Sequence, residues 1–122
     1  MSTPSAQSPE LHLPLKPVVF HILLALAEQD SHGYGVIQLV RERSQKRIRL
    51  ETGPFYRHLR KLLDGALVEE SDRRPAEDDR RRGVYYRLTR FGREVIAAES
   101  RRLAQLVSLS DELGFDSGKP TA

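Results

Sequence analysis

Apolar residues recur along this chain at helical spacing in some stretches and alternate with polar ones in others, and that pattern predicts the elements. Lys16 to Glu28 is apolar nearly all round and opens with Pro17, as expected of a buried core helix. Gln29, Asp30 and Ser31 make a polar break that includes a capping residue. A second helix runs from about His32 to Ser44, with Gly33 and Gly35 in its first turn where they permit close packing. Gln45 to Glu51 alternates apolar with charged residues and predicts a short extended piece.

Gly53 to Gly65 is a short amphipathic helix. Thr52 or Gly53 can cap it, Pro54 suits its first turn, and Gly65 suits its end. Phe55, Leu59, Leu62 and Leu63 form its apolar face, while Tyr56, Arg57, Arg60 and Lys61 fall on the other side. Ala66 to Ser71 and Val84 to Leu88 read as strands on either side of a charged loop from Arg73 to Gly83. Thr89 caps a last helix that runs to about Leu113. On it Ile96, Leu103, Leu106 and Leu113 lie near a three-to-four spacing, with Glu99 and Ser110 interrupting the seam. So long a helix on so small a domain carries more apolar surface than one core covers, and a second copy of the chain would cover it.

Charge changes this picture more than composition does. The 122 residues carry a net charge of only +3, but between Arg41 and Lys61 eight Lys or Arg stand against two Glu. A further group of arginines, Arg73, Arg74, Arg80, Arg81 and Arg82, surrounds Glu77, Asp78 and Asp79 in the charged loop. Basic side chains gathered on one helix and on one hairpin tip suit a polyanion, because each phosphate neutralised releases a counterion. With no cysteine, neither a disulfide framework nor a thiolate metal site can form. No apolar run approaches the roughly 20 residues of a membrane span, and the N-terminus lacks a signal-like apolar segment. A cytoplasmic location is the expectation.

The order helix, helix, helix, strand, strand, helix is that of a mostly α (α+β) fold: a winged helix-turn-helix with a two-stranded wing and a long C-terminal dimerisation helix. The expected division is a flexible tail over 1–14, the DNA-binding domain over 15–89, the dimerisation helix over 90–113 and a second tail over 114–122. The third helix would enter the major groove, and the wing would lie on the backbone or in the minor groove. Arg57, near the start of that helix, is the candidate for a guanine contact. Tyr56, Arg60 and Lys61 are candidates for phosphates, and Arg80, Arg81 and Arg82 for sequence-independent contacts from the wing.

The segments Ser31-His32-Gly33-Tyr34-Gly35, Leu50-Glu51-Thr52-Gly53-Pro54-Phe55-Tyr56-Arg57-His58-Leu59 and Tyr85-Tyr86-Arg87-Leu88-Thr89, with Arg90-Phe91-Gly92-Arg93 after them, resemble the PadR family of transcriptional regulators. The likeness spans about Val18 to Leu113. It implies a homodimer paired through its C-terminal helices, with recognition helices on successive turns of a palindromic operator. Repression relieved by a small-molecule effector or another input is implied as well. By family position Tyr56 would touch the backbone, and Thr52 and Gly53 would offer amides to a phosphate. The chain departs from the family's usual Ser-Pro-Gly-Thr-Leu-Tyr by reading Glu51-Thr52-Gly53-Pro54-Phe55-Tyr56, so the common threonine contact has no counterpart at position 54.

Other chemistries find little support. His12, His21, His32 and His58 show no spacing that suggests a metal site, and the loop acids have no pocket to shift a pKa. No phosphate-binding glycine loop, Ser-His-Asp pattern or cysteine nucleophile exists, so neither enzyme activity nor a cofactor is expected. Phe20, Tyr34 and Phe91 are either effector-pocket residues or plain core. A second function stays open: an interaction module whose basic face binds a protein or RNA. Salt-dependent binding to duplex DNA separates the two.

Overall fold

The computed structural model describes residues 8–72 and 83–116. Four helices, α1 (Pro17–Glu28), α2 (Gly33–Arg43), α3 (Thr52–Asp64) and α4 (Arg90–Glu112), enclose one core beside a three-stranded antiparallel sheet. Its strands are β1 (Ser31–His32), β2 (Val68–Ser71) and β3 (Tyr85–Leu88), in the order β1-β3-β2. The fold is thus the mostly helical winged helix that the pattern predicts, with β1 as an additional strand. Val68 faces Leu88 and Ser71 faces Tyr85 across the β2–β3 ladder, where Glu69 and Arg87 stand opposite each other and pair at 2.7 Å.

Each helix gives its apolar face to the same cluster. Ile22, Leu23 and Leu26 come from α1, Val36 and Val40 from α2, and Phe55, Leu59 and Leu62 from α3. Val95 comes from α4, and Leu67, Val68 and Leu88 close the cluster from the sheet side. Phe55 is fully buried, and a side chain of that size contributes roughly 1.5–3 kcal/mol by leaving water. Burying it fixes which way α3 faces.

Capping differs from expectation at several ends. The polar break of Gln29, Asp30 and Ser31 was expected to supply the cap of α2. The cap is His32, whose Nδ1 accepts a bond from the Gly35 amide at 3.0 Å. Neither Thr52 nor Gly53 caps α3; Glu51 is its N-cap residue and supplies no side-chain bond. At the other end Gly65 has an ordinary backbone, and Ala66 takes the left-handed conformation with φ 63°. The Leu67 amide then reaches back to the Leu62 carbonyl and the Ala66 amide to Leu63, each at 3.0 Å. The same closure ends α2 at Gln45 and Lys46, both at positive φ, so Gln45 to Glu51 forms a turn and loop rather than an extended run. Gly114 and Phe115 close α4 in this way too.

The segment expected to be an N-terminal tail has a place in the fold. Pro9–His12 forms a 3-10 turn that lies against α4, with the His12 ring edge-on to Phe91 at 5.4 Å. The Leu15 amide donates to the buried Glu99 carboxylate at 3.0 Å, and Arg102 pairs with the same group at 2.6 Å. Glu99 therefore does not break an outer seam; it turns inward and pins the strap of residues 8–16. The Arg102 guanidinium holds its carboxyl below the usual range, opposed by burial and aided by the Leu15 amide.

Candidate nucleic-acid interface

With Phe55, Leu59 and Leu62 committed to the core, the opposite side of α3 faces water. Arg57, Arg60 and Lys61 are exposed there, and with Gly53, Tyr56 and Asp64 they line one shallow groove. Among the described residues the ion pairs engage Arg43, Arg87 and Arg102 and leave these three cations without an acidic partner. The Arg57 guanidinium folds back toward the start of the helix, with Nη1 4.0 Å from where a Gly53 Cβ would stand. Pro54 has no N–H and the Phe55 amide bonds to the Glu51 carbonyl, so Thr52 and Gly53 carry the uncapped amides of the first turn.

Tyr56 is 46% exposed, yet its ring is anchored. It stands edge-on to Phe55 at 4.8 Å, and its hydroxyl lies so close over Gly33 that a Cβ there would run into it. A glycine at position 33 is what lets α3 approach the start of α2 this closely. Tyr86 on β3 is a neighbour: burial, then the Tyr56 phenol, then Glu70 push its own phenol above the ordinary value. Gly35 is equally constrained, because a Cβ there would meet the Ser31 hydroxyl. Both glycines do the close-packing work their sequence position suggested.

The basic stripe is partly rearranged by the fold. Arg43 turns away into a bidentate pair with Glu28, both bonds at 2.7 Å, and does not join the stripe. Arg41 and Arg49 instead share a hollow with Tyr34, Ile37, Leu50, Glu51 and Thr52 at the entrance to α3. Sequence reasoning did not single out this second cationic edge, although Arg41 and Arg49 belong to the charge run it counted. Tyr34 is exposed and accepts a bond from Gln38, while Phe91 packs against His12. The wing residues Arg80, Arg81 and Arg82, with Arg73, Arg74, Glu77, Asp78 and Asp79, lie outside the described residues. On α4, Leu103, Leu106 and Leu113 are 36%, 50% and 67% exposed, whereas Ile96 packs in part against the core.

A model of the transcriptional regulator PadR-like family matches residues 22–98, which takes in α1 from Ile22 onward, α2, α3, the sheet and α4 as far as Ala98. The chain belongs to the PadR-like family of transcriptional regulators. This PadR-like regulator is similar in fold to solved structures of the same kind. A PadR family regulator from hypervirulent Clostridium difficile is 17% identical with a TM-score of 0.64, covering 80% of this chain and 98% of that one. A transcriptional regulator from Clostridium thermocellum is 18% identical with a TM-score of 0.62, over 80% of this chain and 92% of that one. RosR of H. salinarum reaches 25% identity and a TM-score of 0.56, over 80% of this chain and 78% of that one. No curated protein matches the chain. As a PadR-like winged helix it is a DNA-binding transcriptional regulator, and no helix among its described residues is long and apolar enough to cross a membrane.

Proposed function

We propose that this regulator is a cytoplasmic repressor that binds a palindromic operator as a homodimer, with α3 in the major groove. The observation that carries this reading is the outer face of α3, where Arg57, Arg60 and Lys61 stand exposed and, among the described residues, without acidic partners on a helix anchored by Phe55. A helix held this firmly presents its cations in one orientation, which reading base edges requires. Arg57, folded toward the start of the helix, contacts guanine. Tyr56, Arg60 and Lys61 hold phosphates, and the uncapped Thr52 and Gly53 amides add a backbone seat for another. Arg41 and Arg49 extend this phosphate track, and the wing arginines 80–82 add contacts that carry no base preference.

The exposed leucines of α4 support the dimer. Leu103, Leu106 and Leu113, with Ile96 at the inner end, meet their counterparts on the second copy. Two copies give two recognition helices related by a twofold axis, hence an inverted repeat. A small-molecule effector relieves repression.

Selection of bound duplexes from a random pool tests the base-reading role. The wild type recovers an inverted repeat, and Arg57→Ala loses about 1–3 kcal/mol at that site and relaxes selection at one position in each half. Identical recovered motifs would move Arg57 to the phosphates.

A further inference from the structure

The strap does more than cover α4. Between it, the start of α1 and the flank of α3 lies a cavity of about 220 Å³. Leu15, Val19, Leu62 and Leu67 form its apolar wall, and Lys16, Lys61 and His58 line it as well, with the charges of both lysines close enough to act on His58. No Asp or Glu lines it, and among the described residues neither lysine has an acidic partner at ion-pair distance. The local field is positive: burial, then Lys16, Arg57 and Lys61, hold the His58 imidazole below its ordinary value.

That combination selects among ligands. A neutral apolar molecule would satisfy the wall but shed water from two ammonium groups without replacing it. A small hydrated anion such as phosphate would answer the lysines and leave the leucines wet. One charge on a short apolar body answers both. The cavity is below the roughly 300–1,000 Å³ of sites for drug-sized ligands, so that body must be short.

We propose that this cavity binds a monocarboxylate with a short apolar chain, its carboxylate on Lys16 and Lys61 and its chain against Leu15, Val19, Leu62 and Leu67, and that occupancy opposes DNA binding. Lys61 links the two events. A carboxylate held on it removes a cation from the outer groove of α3, and coupling between two sites must act equally in both directions. The second half of the proposal rests on α3 as the DNA-reading helix; the first half does not.

Titration of the full chain with octanoate, octanamide and acetate, followed by amide chemical shifts, tests the site. Octanoate should saturate one site per chain and move Leu15, Lys16, Val19 and Leu62, with octanamide and acetate each about tenfold weaker or more. Lys16→Met, which keeps an apolar stem, should weaken octanoate by a similar factor without moving the unfolding temperature. Val19→Trp should block the site by filling it. Shifts confined to Leu103–Leu109 would overturn the site, as would equal binding of octanamide or of acetate. Saturating octanoate should then weaken binding to random duplex in the wild type and not in Lys16→Met. Unchanged duplex affinity with octanoate bound overturns the coupling alone, whereas a chain that binds no duplex without octanoate overturns the reading of α3 and leaves the site decided by the titration.

Discussion

The outer face of α3 and the distal half of α4 are both the open sides of amphipathic helices, and they expose opposite chemistries. On α3 the apolar residues are spent on the core and the cations face water. On α4 burial stops at Glu99, and Leu103, Leu106, Val107, Leu109 and Leu113 face water instead. Exposed cations cost a folded monomer almost nothing, because water solvates them well. Five exposed aliphatic side chains forgo burial that a partner surface would supply, at about 25 cal/mol for each Å² covered. The first surface is well solvated by itself; the second is the one on which the proposed dimer rests.

The largest expected effect breaks the α4 side of this contrast. Leu103→Glu with Leu106→Glu should give a folded monomer, since two leucines buried in an interface contribute roughly 3–6 kcal/mol and two charges there cost more. Sedimentation velocity at micromolar concentration reads the result, and a persisting dimer would sink the chosen seam. α3 should be untouched, so binding of a single half-site should survive.

Next comes the boundary between the two halves of α4, set by Glu99. Its carboxyl lies below the ordinary value in the folded chain, so its contribution is present above the usual carboxylate range and is lost as pH falls through the folded value. Glu99→Gln should lose about 1–3 kcal/mol near neutral pH and show a flatter decline into acid than the wild type. Thermal unfolding at a series of pH values checks both, and parallel curves would refute the assignment.

A smaller effect sharpens the α3 side. Ala66 holds a left-handed conformation that glycine adopts freely, so Ala66→Gly should stabilise the chain by roughly 0.5–1 kcal/mol without altering DNA binding. Denaturant unfolding decides this; a loss of stability would mean that the methyl group matters more than the backbone. Smallest of all, Lys61→Ala should weaken every duplex sequence alike and lower the salt slope by about one unit. An effect limited to the preferred site would turn Lys61 into a base reader.

The periodic elements were legible because each repeats its own signal. Phe55, Leu59 and Leu62 state one face of α3 three times, and the cations between them state the other. What was hidden depends on single or distant contacts. Ser31 and His32 are too short a run to alternate visibly, and they become a strand only by pairing with Tyr86 and Tyr85. Ala66, Gln45 and Lys46 carry no glycine signature for the left-handed turns they make. Composition placed residues 1–14 in a tail because Phe91 and Glu99, which hold His12 and the adjoining Leu15, lie more than seventy residues away. Glu99 looked like an interruption because a polar residue in an apolar seam reads as exposed until its partners are known. The arrangement of the basic groups was likewise partial: Arg57, Arg60 and Lys61 were identified, but nothing local distinguished Arg43, committed to Glu28, from Arg41.

The hydrogen bond from Leu15 to Glu99 joins residues 84 positions apart. A ribosome releases Leu15 while Glu99 is still unmade, so the strap has no anchor until α4 itself emerges. Closing so long a loop adds little entropy cost, because that cost grows only with the logarithm of length. Its effect is on the order of events. The three core helices can collapse on one another early, while the strap and the junction it makes with α4 are completed only when synthesis is nearly finished. A chain cut short before residue 99 would keep the basic helix and lose the clasp, with the Leu15 amide left without its carboxylate partner. Such a fragment bears on its surface the sign that it is unfinished.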